Sequence, residues 1–343
     1  MNLATRYLGL DLRNPLVAGA GPQNGDLDNI RRLEDLGAGA IVLPSIFEEQ
    51  IEGEQRLIDQ QTTTGIDSYG EALTYFPPQI AYALDPERYL GLLRRAVAAV
   101  DIPIIASLNG FTNQGWVQYA RQLEQAGANA IELNIYFIPA DLNLSASAVE
   151  QRYLDIVKSV KGAVTCPVAV KIAPYFSAMG HMAQQLAQAG ADGLVLFNRF
   201  YEPDIDLARL ALVSDLELSS PYEIRLPLLW IGVLSGRLNA SLAASTGVDS
   251  VDEVIKYLLA GADVVMTTSS LLRHGIGHIK ELLMGLEAWL DVRNLDSLAS
   301  IRGRMSHLNV ADPTAFDRAN YIKTVHSYKA TPASNRPFAK DAD

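Results

Sequence analysis

The sequence predicts an α/β protein, a (β/α)8 TIM barrel with a long insertion after its second strand and a C-terminal extension. Three observations carry this. A phrase recurs four times, as "LGAGAIVLPS" from Leu36, "AGANAIELN" from Ala126, "AGADGLVLFN" from Ala189 and "AGADVVMTTS" from Ala260. Four further apolar runs fall before and between these copies, and most are separated by stretches with helical periodicity. The Gly-rich fingerprint that opens the rival doubly wound sheet is missing, because the glycines of "GAGPQNGD" do not have its spacing.

Each copy of the phrase follows a helical pattern: "DLDNIRRLED", "QGWVQYARQLEQ", "HMAQQLAQ" and "VDEVIKYLL". A glycine after such a pattern supplies the left-handed stop of the helix, and the apolar run after it is a buried strand. In chain order, strand one is "PLVAGAG" (15–21) and strand two ends the first copy, at Pro44 and Ser45. Strand three is "IPIIASLNG" (102–110), strand four "AIELN" and strand five "VAVKIAP" (168–174). Strand six is "LVLFN", strand seven "SLAAST" (241–246) and strand eight "VVMTTS". Near-continuous apolar strands alternating with helices imply a parallel sheet covered by helices. Residues 46–83 form the insertion, polar and then aromatic, on the face where loops become lids or substrate walls. Residues 1–310 are read as the barrel domain, and 311–343 as a C-terminal helix with a disordered tail, "KATPASNRPFAKDAD".

Composition narrows the function. The chain has 343 residues, 49% of them hydrophobic and 20% charged, as in a soluble globular protein. A net charge of −11 argues against nucleic acid or an anionic membrane as partner. One cysteine, Cys166, builds no disulfide, iron–sulfur cluster or thiolate zinc site. No stretch reaches membrane-span length and no secretory signal opens the chain, so the expected compartment is the cytoplasm. Of the five histidines, His274 and His278 are four apart and would share a helix face, with no third ligand to suggest a metal.

Chemistry in this fold sits where strands end. Lys171 interrupts an apolar strand and must either pair, with Glu132 on the neighbouring strand, or meet an anionic or electron-rich ligand. Asn109, Asn134 and Asn198 end three strands, and three amides together can read the edge of a heterocycle. Ser245, Thr246 and Gly247 end strand seven, and Thr268 and Ser269 end strand eight. Small hydroxyl-bearing residues leading into helices at these two places are the usual phosphate site of the fold, although ordinary helix capping uses the same residues.

These residues carry a resemblance. The motifs "LRNPLVAGAG", "AIELN", "PVAVKIAPYF", "LVLFN" and "STGVDSVDEVIKYLLAGADVVMTTSSLL" are similar to those of the dihydroorotate dehydrogenase family, in its soluble cytosolic class, over residues 1 to about 305. The resemblance implies a flavin mononucleotide (FMN) barrel of pyrimidine biosynthesis that oxidises dihydroorotate to orotate. Ala20 and Gly21 would then lie against the isoalloxazine, and Lys171 beside its N1–O2 edge. Asn134 and Asn198 would serve flavin and substrate, Ser220 would approach the flavin through its backbone, and Ser245, Thr246, Gly247, Thr268 and Ser269 would cradle the phosphate.

The departures lie on the substrate side. The family's Asn-Leu-Ser-Cys-Pro-Asn loop is here Asn134 to Pro139, so Phe137 stands at the position of the catalytic base and Pro139 at that of a substrate asparagine. A lysine at the end of strand two falls on Pro44, and an asparagine of the insertion on Asp67. A phenyl ring takes no proton, so Tyr136 and Asp67 are the candidate replacement acids. The reading is an FMN-dependent oxidoreductase acting on a CH–CH bond, on dihydroorotate or a related small molecule. The alternative is a flavin-binding electron-transfer or interaction subunit that works with a redox partner. A flavin-free isomerase or aldolase with Lys171 as Schiff-base lysine is the third. By analogy with such barrels a homo-oligomer is expected.

Overall fold

Eight parallel strands close into a barrel in the order β3–β4–β5–β6–β7–β8–β11–β12 and back to β3 in the computed structural model, which describes residues 1–47, 86–110, 112–213, 216–317 and 320–326. They are β3 (Leu16–Ala18), β4 (Ala40–Phe47), β5 (Ile104–Asn109), β6 (Ala130–Asn134), β7 (Val168–Ile172), β8 (Gly193–Leu196), β11 (Ser241–Ala244) and β12 (Val264–Thr267). Helices α1 (Leu27–Asp35), α2 (Pro86–Ala99), α3 (Asn113–Gln125), α4 (Ala146–Lys161), α5 (Met179–Gln188), α6 (Arg225–Leu234) and α7 (Val251–Ala260) cover it, followed by α8 (Ser269–His274) and α9 (His278–Val292). This is the TIM barrel that the sequence predicts. The insertion, with Asp67, and the tail after His326 lie outside the described residues.

The recurring phrase explains itself in the structure. Its glycines, Gly37, Gly127, Gly190 and Gly261, all have φ between +97° and +116°, the left-handed stop that a Cβ would strain. Its polar residue is a stitch. Asn129, Asp192 and Asp263 each accept a backbone N–H from the first two residues of the preceding strand: Ile104 at 2.8 Å, Val168 at 2.7 Å and Leu242 at 2.7 Å. The first copy has Gly39 there, and a Cβ on it would stand 2.3 Å from the Asn14 carbonyl oxygen. Asn14 does the work from the other side: its Oδ1 accepts from Leu16 N–H and its Nδ2 donates to Gly37 O.

The barrel interior is filled from below. A hairpin of β1 (Thr5–Tyr7) and β2 (Leu10–Leu12) sends Tyr7, Leu8 and Leu12 among Val17, Ala40, Val42, Ile105, Ala130, Ala169, Val195, Ala243, Val264 and Met266. The inward alanines of β4, β6, β7 and β11 leave the room this plug needs. A larger core of leucines, isoleucines and valines lies between strands and helices.

Two details differ from the sequence reading. His274 and His278 do not share one helix: α8 ends at His274, Gly275 turns at φ +84°, and α9 starts at His278. The rings still meet, with centroids 4.7 Å apart. A second hairpin, β9 (Asp204–Asp206) with β10 (Ala211–Val213), projects after β8 and exposes Ile205, Leu207, Leu210 and Leu212. The C-terminal extension is joined to the barrel where Phe316 fills the space beside Gly232, and α10 (Asn320–His326) follows.

Candidate active site

Period-two alternation points Ser107 of β5, Glu132 and Asn134 of β6, and Lys171 of β7 into the C-terminal half of the barrel, above the apolar plug. β4 reaches this layer by a bulge. Val42 faces Ile105 but Ser45, not Pro44, faces Ser107, so β4 carries one extra residue there. Proline cannot donate to the ladder and is at home in such a bulge. The bulge turns the Ser45 hydroxyl inward, 2.8 Å from the Ser107 hydroxyl.

One cavity of about 210 Å³ opens at this mouth. Of the residues singled out in the sequence, Ala20, Gly21, Lys171, Asn198, Ser245, Thr246, Gly247, Thr268 and Ser269 line it, together with Phe197, Arg199, Tyr201 and Leu216. A second cavity of about 330 Å³ shares Phe197, Asn198, Arg199 and Thr246 with it and adds Tyr175, Phe200 and Tyr222. Asn109, Asn134 and Ser220 do not line the first cavity. Asn109 is buried at the end of β5. Asn134 is half-buried, and its Oδ1 accepts from Asn198 Nδ2 at 2.5 Å. Ser220 caps the turn Pro221–Ile224, and its carbonyl oxygen would stand 2.7 Å from a Cβ on Gly247.

The floor carries a buried charge pair. Lys171 Nζ is 3.9 Å from Glu132 Oε1. Glu132 is 1% exposed, and its Oε2 has no hydrogen-bond partner. Burial pushes its carboxyl up, while the Lys171 ammonium and the Ser107 hydroxyl pull it down. The loops after β11 and β12 close the other end. Thr246 and Gly247 have φ of +84° and +72°. A β-branched residue in that region is strained, and such strain gathers at ligand sites. The sequence reading missed Ser219, which is 5% exposed, donates to Ser269 Oγ at 2.9 Å and accepts from Gly247 N–H at 3.2 Å. Its only signal was the small dipeptide Ser219–Ser220 before a helix-opening proline.

The loop after β6 is turned aside. The Phe137 ring lies 4.3 Å beneath the guanidinium of Arg152 on α4 and does not line the cavity. Tyr136 packs edge-on against Phe200 at 5.1 Å, and its hydroxyl accepts from Tyr201 N–H at 3.1 Å. Tyr175 lies 4.9 Å from the other side of the same cluster. Gln23 beside Gly21 has a buried side-chain amide with no partner for either its nitrogen or its oxygen. Among the described residues there is no cluster of His, Cys, Asp and Glu that could hold a metal ion, and no helix long and apolar enough to cross a membrane.

The sequence profile of the dihydroorotate dehydrogenase family matches residues 2–290. Curated relatives agree at low identity. The chain is 28% identical to the catalytic subunit of dihydroorotate dehydrogenase B (NAD(+)) of Halalkalibacterium halodurans, over 77% of this chain and 85% of that one. It is 26% identical to the protein of the same name from Methanocaldococcus jannaschii, over 89% and 98%. It is 27% identical to the putative dihydroorotate dehydrogenase A (fumarate) of Aeropyrum pernix, over 62% and 70%.

Proposed function

This chain belongs to the dihydroorotate dehydrogenase family, a family of oxidoreductases, and on that premise we propose that it is an FMN-dependent enzyme acting on a CH–CH bond. The observation that carries the proposal is the shared cavity: residues from the ends of five strands, picked from the sequence as flavin contacts, line one space with Lys171 in its wall. The cavity suits the cofactor chemically. Small and hydroxyl residues at Ser245–Gly247 and Thr268–Ser269 match a phosphate. The ammonium of Lys171 matches an electron-rich ring edge, and the unpartnered Gln23 amide next to Gly21 matches a group with both donors and acceptors. When bound, FMN supplies a two-electron acceptor for hydride.

The chain's own residues do the rest. Lys171 offsets negative charge at the cavity floor. Asn198 and Asn134 form a fixed amide pair at its edge. Phe137 takes no proton, and a missing general base costs about 10²–10⁴-fold in rate. This supports a related substrate rather than dihydroorotate itself. Tyr136 is the candidate proton donor among the described residues: its oxygen accepts from Tyr201 N–H, which leaves its own O–H to donate. Asp67, the other candidate acid, lies outside the described residues. Purified protein should be yellow and hold FMN stoichiometrically. Anaerobic dihydroorotate should bleach it at least ~100-fold more slowly than a flavin dehydrogenase with an intact base. Protein that refuses FMN sinks the proposal.

A specific observation favours the second reading as well. The β9–β10 hairpin exposes four large aliphatic side chains beside the cavity, and Tyr201 and Leu216 flank it on the cavity wall. A contiguous apolar patch on a soluble protein marks a contact surface. Two of the relatives named above are catalytic subunits by name. A flavin protein that passes electrons to a redox partner there, or a homo-oligomer packed through the hairpin, fits this surface. Turnover of any small oxidant without a second protein separates the enzyme from the electron-transfer subunit.

A further inference from the structure

A line of hydrogen bonds crosses the barrel mouth, and its donors all point one way. Asn198 Nδ2 donates to Asn134 Oδ1 at 2.5 Å, and Asn134 Nδ2 donates to Ser45 Oγ at 3.2 Å. Ser107 Oγ donates to Glu132 Oε1 at 3.5 Å, the longest link. A serine hydroxyl carries a single proton, so Ser107 must accept from Ser45 across their 2.8 Å contact. The line therefore runs Asn198, Asn134, Ser45, Ser107, Glu132. It begins on a residue of the cavity wall and ends on a buried carboxylate.

We propose that Glu132 is the terminal proton acceptor of this enzyme, reached through the hydroxyls of Ser45 and Ser107, in place of the base that Phe137 does not provide. The proposal rests on the FMN reading of the cavity. Ser45 on β4 is half-buried beside Asn134, and Ser107 and Glu132, its successive partners across β5 and β6, are buried. The two hydroxyls form a continuous run of exchangeable protons that ends on the carboxylate.

The step balances. One substrate carbon loses hydride to FMN, the oxidant. The neighbouring carbon loses a proton, and the electron pair of that C–H bond becomes the second bond of C=C. Ser45 Oγ takes the proton and passes its own to Ser107. Ser107 passes its own to Glu132 Oε1, and both serines are regenerated. Glu132 becomes neutral, so Lys171 loses its counter-ion just as hydride brings one negative charge to the cavity. The charge at the floor is conserved, and this exchange makes the carboxylate a usable acceptor despite its burial. The titratable groups around Glu132 are Lys171 from β7, Tyr7 from the plugging hairpin and Tyr89 from α2, whose hydroxyl accepts from Ser107 N–H.

The test is reduced-minus-oxidised infrared difference spectroscopy of the FMN-loaded protein, photoreduced anaerobically, the proton then coming from cavity water. Wild type should develop the C=O stretch of a newly protonated carboxyl group, and Glu132→Gln should not. Ser107→Ala should develop it at least tenfold more slowly, and it stands in for the first variant if that one does not fold. The band surviving in Glu132→Gln, its absence from wild type, or an unchanged rate in Ser107→Ala overturns the relay. Wild type that binds no FMN would instead overturn the reading of the cavity, so the two failures are distinct.

Discussion

Replacing Gly247 by alanine should weaken both the fold and cofactor binding. The residue sits at φ +72°, where a Cβ costs about 1–2 kcal/mol. The new methyl would stand 2.7 Å from the Ser220 carbonyl oxygen, 2.7 Å from Ile224 Cγ2 and 3.2 Å from Ile224 N. Two of these three atoms are backbone, so no rotamer relieves them. Overpacking of this kind costs about 1–3 kcal/mol, for roughly 3 kcal/mol in all with the strain. With an unfolding entropy of about 2 cal/mol/K per residue, 3 kcal/mol lowers Tm by roughly 5 °C in a barrel of this size. The turn Pro221–Ile224 has to move outward, and it carries Ser220, whose neighbour Ser219 holds Gly247 N–H and Ser269 together. If half the strain falls on that geometry, FMN affinity drops about tenfold, by the rule of 1.4 kcal/mol per decade. Quenching of FMN fluorescence gives Kd, and calorimetry gives Tm. An unchanged Tm refutes the packing argument. A lowered Tm with unchanged Kd refutes the placement of the phosphate beside Gly247.

Three further outcomes are expected. The carboxyl of Glu124 is held below the usual range first by the Thr165 hydroxyl; burial opposes this, and Cys166 N–H and Thr165 N–H, also donating to its Oε1, add to the lowering. The native chain therefore binds this proton less readily than the unfolded chain. Its stabilisation is whole above the unfolded carboxylate value and fades as pH falls through the native one; urea unfolding of Glu124→Gln should show a shallower acid-side loss than wild type. Burial pushes the Cys166 thiol up to about 11, so iodoacetamide at pH 8 should label native protein far more slowly than urea-unfolded protein, as read by mass spectrometry. In the barrel plug, a Cβ on Gly193 would meet Leu8 Cδ2 at 2.5 Å. Leu8→Ala should cost about 2–5 kcal/mol and Gly193→Ala about 1–3, while the double mutant should cost less than their sum because the new methyl occupies part of the space Leu8 vacates.

The fold was legible because its signal is local and repeated. A helix, a glycine at positive φ and an apolar strand can each be read within ten residues, and four copies fix the period. The cavity wall was legible for a related reason: in a closed parallel barrel every strand delivers its last residues to one face, so listing strand ends comes close to listing the site. What escaped were relations set by the third dimension. Nothing near Thr5–Leu12 says that this hairpin enters the barrel, since the reason lies in the alanines of four distant strands. Asn134 and Asn198 are both legible as strand ends, but that the Asn198 amide donates to Asn134 Oδ1 is not. His274 and His278 have helical spacing, but Gly275 between them breaks the helix that the spacing implied.

The same distinction bears on the substrate side. In a sequence, Pro44 and Phe137 look like two losses from a catalytic inventory. In the folded chain each has a structural place. The proline sits in the bulge that brings Ser45, rather than its own position, opposite Ser107. The phenylalanine is drawn away under Arg152, and the loop after β6 is fixed at Tyr136 by Phe200 and Tyr201 instead. In the proposed relay, hydroxyls on two barrel strands take the part of the base that Phe137 does not provide. Restoring a cysteine at 137 alone would therefore place a thiol beneath a guanidinium outside the cavity. Phe137→Cys should leave activity toward dihydroorotate at the level of the unmodified chain, in steady-state assays with a dye acceptor; a gain of tenfold or more would mean that the loop still swings over the mouth and that its turned-aside position is not what disables the family's reaction.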